Sequence, residues 1–400
     1  MSTSIFPCER EGWVDWMRIS ACFLVMMVHS TEPFYLGGDG SLILTRSDAF
    51  WVSFFDTLAR ACVPVFIVAS SYLQFPLRYS ASEFARRRAA RILIPFLFWT
   101  VIYALINPNP IQNFKDLLFN FNYAAGHLWF VYMLIGLYVL MPLLSPWAEK
   151  VSRKEMQVYL LLCFLTTLVP YVRERAMGGD VVCIYGSGGI PMQAHFPLWG
   201  EASWNEFGVF YYFSGFVGYM LLGLYLRRFV GELSWGRTLS VAVPSLLTGF
   251  AICFFGFLRR VFADAGGSLL AGGDFPVGGG LDVAVGWETP WFYNSSGVAL
   301  MTVGWVLLFR KCTCGGRFYS NVVLPVSKAS YGMYLCHMIA LGFFSGLFRS
   351  IFGLGGAGTL GVMTTPVEIL LTAVCSFASA AIFCTLLRRV PYIGKWVIGY

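Results

Sequence analysis

Apolar runs long enough to cross a lipid bilayer recur from one end of this chain to the other. A helix needs about 20 predominantly apolar residues to cross a hydrocarbon core roughly 30 Å thick. Of the 400 residues, 57% are hydrophobic and only 12% are charged, whereas soluble domains carry about 25% charged residues. These observations specify an all-α polytopic membrane protein. Nothing marks a separate soluble domain, so residues 1–400 read as one membrane-embedded unit.

The pattern predicts ten transmembrane helices: Met17 to Phe34, Phe50 to Leu73, Ile92 to Ile106, Leu128 to Leu144, Val158 to Val172, Phe207 to Leu226, Leu239 to Phe257, Trp291 to Phe309, Ala329 to Phe348 and Pro366 to Leu387. Lys and Arg orient them. With a cytoplasmic N-terminus, 20 of the 28 lysines and arginines fall in inside segments, 7 fall outside, and Arg60 lies within the second span. That bias satisfies the positive-inside rule and puts both termini in the cytoplasm. The net charge of +7 then reflects topology, and no nucleic-acid partner is needed to explain it.

The N-terminus "MSTSIFPCEREGW" carries acids and no basic n-region, so the first apolar run reads as a permanent span of a cell (inner) membrane protein and not as a cleaved signal. Two long outside loops are expected, Arg173 to Glu206 and Leu258 to Pro290. No internal repeat announces an inverted-repeat transporter. The 11 cysteines are scattered through apolar runs, where they act as small hydrophobes. The pair Cys312 and Cys314 has no second pair or neighbouring His to complete a four-ligand site, so no metal is expected.

Ionisable residues inside spans are expensive and mark function. In "DWMRISACFLVMMVHSTEPF" Arg18 lies near the inner boundary and His29 eleven residues on, about 16 Å along the helix axis. Asp15 and Arg18 share a face and can neutralise each other as an interfacial anchor. His29 reads either as a polar interhelical contact or as a reacting group. Glu32, three residues further on, shares its face if the helix persists up to Pro33, which disfavours helical geometry in the residue before it. In "FARRRAARILIPF", Arg88 and Arg91 fall on one face at a helix entrance. Topology alone explains a basic cluster there, and guanidinium pairs also suit phosphates. "GHLWF" places His127 and Trp129 at the outer end of the fourth span, and "SKASYGMYLCH" carries His337 about 12 Å into the ninth.

Taken in order, Asp15, Arg18-x10-His29, "CVPVFIVASSYL", Arg88-x-x-Arg91, "HLWF" and "SYGMYLCH" resemble acyltransferase family 3, the integral-membrane O-acyltransferases of surface glycans. No single motif is specific; the ordered set is. Two departures stand out: Ser70-Ser71 replaces the family's usual Ser-Gly, and the acidic "WSLxxEExFY"-like motif of one branch is missing. With only 13 residues after Leu387, no appended esterase-like domain is expected, which is the pattern of the stand-alone branch.

The resemblance implies transfer of an acyl group, in the first place acetyl, from cytoplasmic acyl-CoA to a hydroxyl of a cell-surface or lipid-linked glycan. Acyl-CoA would be a co-substrate, with no permanently bound cofactor, and the partners are the bilayer, the acyl-CoA and the glycan acceptor. His29, Arg18 and Glu32 would be catalytic, with His29 acting as base or as acyl carrier. Arg88 and Arg91 would hold the donor, and His127, Trp129 and His337 would hold the acceptor. The rival class is a transporter or flippase for a lipid or sugar, in which the same groups relay protons or grip a substrate.

Overall fold

A computed structural model describes residues 11–36, 43, 45–119, 123–168, 171–172, 215–265, 286–313, 315–352, 364–391 and 393–399. Among these residues the secondary structure is entirely helical. The main helices are α1 (Gly12–Tyr35), α2 (Arg46–Ala59), α3 (Cys62–Gln74), α4 (Ala81–Arg88), α5 (Ile94–Ile106), α6 (Pro110–Phe119) and α7 (Trp129–Lys150). They continue with α8 (Arg153–Thr166), α9 (Val217–Phe229), α10 (Trp235–Asp264), α11 (Ser296–Phe309), α12 (Leu324–Phe352), α13 (Thr365–Leu387) and α14 (Ile393–Ile398).

Seven helical stretches among the described residues are long and apolar enough to cross a membrane: Arg46–Gln74, Ala81–Ile106, Ala125–Lys150, Trp235–Asp264, Thr289–Phe309, Gly316–Phe352 and Thr365–Leu387. The chain is a multi-pass membrane protein. These seven contain the second, third, fourth, seventh, eighth, ninth and tenth predicted spans. The predicted fifth and sixth spans are described only in part, as α8 and α9, since residues 169–170 and 207–214 lie outside the described residues. The predicted loop from Arg173 to Glu206 lies wholly outside them, as does Cys314. The loop after the seventh span begins later than expected, because α10 continues to Asp264 and carries Arg259 and Arg260 within it.

Local chemistry starts the helices where hydroxyl residues occur. The side chains of Ser80, Ser152, Ser234 and Ser295 each accept a backbone N–H three residues on, and Thr45 closes a capping box with Asp48. Between α10 and α11, small residues let the two backbones approach. A Cβ at Gly249 would lie 2.4 Å from the carbonyl oxygen of Gly297.

The polar first helix is central. α1 packs against α2, α3, α11, α12 and α13, and most of its residues are buried. That placement is what makes Asp15, Arg18 and His29 tolerable: they face protein and cavities, and the lipid-facing surface is made by residues such as Leu143, Leu247, Phe343 and Ile382, which stay exposed. The Ser70-Ser71 departure is accommodated from the opposite side. Ser71 Oγ donates to the Met220 carbonyl at 2.6 Å, and the close approach comes from Gly223 on α9, where a Cβ would meet Val68 O at 2.8 Å.

Candidate active site

α1 stays helical through Pro33 to Tyr35, so Glu32 falls on the face of His29. His29 Nδ1 and Glu32 Oε2 are 2.6 Å apart. Their side chains are 16% and 25% exposed, respectively, so neither is sealed off. With Nδ1 donating to the carboxylate, the Nε2 lone pair of His29 is left available as a base.

The other two site histidines converge on this point from distant parts of the chain. His127 sits in the tight turn Tyr123–Leu128 that precedes α7, and His337 lies within α12. The His337 ring centroid is 5.0 Å from that of His29 and 5.2 Å from that of His127. His337 is fully buried, and its Nδ1 donates to the Tyr334 carbonyl one turn earlier. Its Nε2 is therefore an acceptor, and among the described residues it has no hydrogen-bond partner; the same holds for His127 Nε2. No three His, Cys, Asp or Glu among the described residues are arranged to hold a metal ion.

His29, His127 and Trp129 line a small chamber of about 10 Å³ together with Val25, Val28, Cys62 and Val63. Trp129 stacks on Tyr293 with centroids 5.5 Å apart, and Tyr293 is also a chamber wall.

A second, larger cavity of about 400 Å³ opens at the basic end of α4 and is lined by Arg18, Arg78, Arg87, Arg88 and Arg91. The helix changes character here: Ala89–Leu93, which contains Arg91, is a π-helical turn between α4 and α5. Such turns re-aim side chains and are frequent at functional sites. The arginines are not equivalent. Arg87 is salt-bridged to Glu83 at 2.5 Å and lies over the Tyr79 ring. Arg88 lies over the rings of Phe84 and Tyr138, and its buried Nε has no partner among the described residues. Asp15 accepts from Ser327 Oγ and Tyr319 OH, each at 2.6 Å, which fixes the start of α1 against α12 and the turn before it.

Phe130 and Tyr334 line both cavities. Their rings meet edge to face, 5.2 Å apart, and the Tyr334 hydroxyl donates to the His127 carbonyl. An arginine-lined vestibule and a histidine-lined chamber thus share one aromatic partition.

A family model described as an acyltransferase domain matches residues 11–389. The chain belongs to acyltransferase family 3. Nodulation protein NolL of Mesorhizobium japonicum is 31% identical over 111 residues, which is 26% of this chain and 30% of that protein. The chain therefore spans less than a third of the length of the relative that it matches. No solved structure matches it.

The candidate site residues named from the sequence fall at one of the two cavities or against His29, whereas Asp15 lines neither. Arg18, Arg88 and Arg91 line the larger one; His29, His127 and Trp129 line the smaller; Glu32 and His337 touch His29. Sequence reasoning missed Phe130, Tyr293 and Tyr334, which nothing separates from the chain's other aromatics until the helices are packed. It also missed a buried ionic group around Arg60. Arg60 bridges Asp56 and Glu288, with Nη2 3.0 Å from Glu288 Oε1. Tyr35 OH donates to Glu288 at 2.7 Å, and Thr31 Oγ1 donates to Asp56 at 2.6 Å. Asp56 and Arg60 are four apart, a signal available in the sequence; Glu288 lay in a segment read as loop.

Proposed function

We propose that this acyltransferase moves an acyl group, in the first place acetyl, from cytoplasmic acyl-CoA to a hydroxyl of a cell-surface or lipid-linked glycan. The observation that carries the reading is the junction of the arginine-lined cavity with the His29 chamber at Phe130 and Tyr334. Guanidinium groups suit the phosphates of a coenzyme A, and the thioester would reach past the aromatic partition to His29.

In this mechanism Glu32 holds the His29 ring and stabilises its positive charge once protonated. His29 Nε2 takes the proton of the acceptor hydroxyl as its oxygen bonds to the thioester carbonyl carbon. The carbon–sulfur bond then breaks, and the proton passes to the departing CoA thiolate, giving ester and free thiol. Arg18 lines the donor cavity, and its charge there favours the anionic donor and leaving group. His337 presents a bare Nε2 acceptor toward the acceptor's hydroxyls, and His127 and Trp129, the latter stacked on Tyr293, stand on the acceptor side.

The proposal includes ten spans with both termini in the cytoplasm of the inner membrane. The positive-inside bias supports it, as does the burial of α1 among helices that qualify as spans. The test of function is direct. Purified protein, radiolabelled acetyl-CoA and glycan extracted from the native envelope should together yield labelled glycan and free CoA. Accumulation of free CoA without labelled glycan, or no turnover at all, would refute glycan acyl transfer.

A further inference from the structure

We infer that the chamber beside His29 is an acyl-size filter whose walls, Val25, Val28, Cys62 and Val63, restrict the donor to a two-carbon acyl group. The inference rests on the acyl-transfer reading above and deepens it, because neither the arginines nor the histidines distinguish one acyl chain from another.

The two cavities differ greatly in capacity. The arginine-lined vestibule holds about 400 Å³, whereas the chamber holds about 10 Å³, room for about one water molecule. A methyl group is of that size; each further methylene needs space that the chamber lacks. Where an acyl chain must lie is set by chemistry. The thioester carbonyl has to stand beside His29, so the alkyl end projects either back toward the vestibule or forward into the chamber. The CoA arm must arrive from the vestibule side of Phe130 and Tyr334, which line both cavities, and that leaves the chamber.

The chamber's walls are poorly able to yield. Val25, Val28, Cys62 and Val63 are 5%, 2%, 1% and 4% exposed, respectively. Three of the four are valines, which hold one strongly preferred rotamer in a helix. They sit on α1 and α3, which pack against each other and against α11. Overfilling such a site forces side chains off their rotamers. The polar side of the chamber, His29 and His127, is free to face the carbonyl, so size selection and catalysis use different walls. In the reaction the acyl carbon exchanges its bond to sulfur for one to the acceptor oxygen, and the hydroxyl proton leaves by way of His29 to the thiolate. The alkyl end takes no part, so its fit should change relative donor use and leave the chemistry otherwise intact.

Discrimination against one methylene in an apolar pocket is roughly 10–200-fold. The experiment compares acetyl-, propionyl- and butyryl-CoA with the purified protein and envelope glycan extract, following thiol release and glycan labelling. Wild type should use acetyl-CoA at least tenfold better than propionyl-CoA in kcat/KM. Val28→Ala and Val63→Ala should each narrow that ratio several-fold, and together bring propionyl-CoA level with acetyl-CoA. Val63→Ile, which fills the chamber, should lower turnover with acetyl-CoA and abolish it with propionyl-CoA. Because each ratio is measured on one preparation, partial loss of folded protein cancels. Equal use of all three donors by wild type would overturn the filter and leave acyl transfer standing; so would ratios that stay fixed in active alanine variants. No transfer from any donor would instead overturn the functional reading, and the filter with it.

Discussion

The imidazole of His29 and the carboxylate of Glu32 stand one helical turn apart, joined at 2.6 Å on a helix that runs through Pro33 without breaking. A carboxylate on Nδ1 fixes the tautomer that leaves Nε2 basic, as in other His–carboxylate pairs. His29→Ala should lower kcat by about 10²–10⁴-fold, the usual cost of losing a general base, with donor affinity little changed. Glu32→Gln removes the charge and lets the amide present a donor to Nδ1, so it should lower kcat by more than tenfold. Steady-state kinetics on monodisperse protein checks both. Turnover of His29→Ala above a tenth of wild type would remove this imidazole from the chemistry.

The arginine-lined cavity makes a graded prediction. A hydrogen bond to a charged group contributes about 1.5–3 kcal/mol, so Arg88→Ala and Arg91→Ala should each weaken acyl-CoA binding by about ten- to a hundredfold. Acceptor KM should stay as it is. Arg87 is already engaged by Glu83 and Tyr79, and Arg87→Ala should cost less than either. Calorimetry with a non-reactive CoA thioether supplies the affinities. Equal losses in all three variants would mean that a diffuse basic surface, not this pair, attracts the donor.

Arg60 carries a stability prediction. It is buried between Asp56 and Glu288, and removing one partner of a buried ion pair typically costs about 3–5 kcal/mol because the other charge is stranded. Arg60→Ala strands two carboxylates, so it should lower the thermal midpoint in detergent sharply. The triple change Arg60→Met, Asp56→Asn, Glu288→Gln should recover most of the loss. A triple variant no more stable than Arg60→Ala would show that the group holds more than its own charges.

How much of this could be read from residues depended on the range over which each contact acts. Seven of the ten predicted spans announce themselves because apolar run length is a local property, whereas α1, with Asp15, Arg18, His29 and Glu32 in it, is not among the stretches that qualify. The i, i+3 spacing of His29 and Glu32 is local too. Helix ends were harder. α10 begins at the Ser234 cap and continues through Arg259 and Arg260, charges that look like a boundary in sequence. The break at Arg60, between α2 and α3, interrupts no apolar run at all. Contacts between distant segments left no local trace: Glu288 meets Arg60 across 228 positions, and His337 meets His29 and His127 only through packing of α12 against α1 and the turn before α7. The ordered set of motifs carried the family where local physics could not.

His337 offers the most discriminating test of the acceptor side. Its Nδ1 is committed to the Tyr334 carbonyl and its Nε2 has no partner among the described residues, although the side chain is fully buried. A buried polar atom left without a partner costs roughly 1–3 kcal/mol, a cost that binding an acceptor hydroxyl would relieve. His337→Ala should therefore raise acceptor KM by about tenfold or more while leaving CoA affinity within twofold, since the arginines bind at the other cavity. His337→Gln keeps an acceptor near the same place and should recover part of the loss. A variant that binds acyl-CoA normally and shows an unchanged acceptor KM but a collapsed kcat would move His337 from holding the acceptor to supporting the His29 ring, 5.0 Å away.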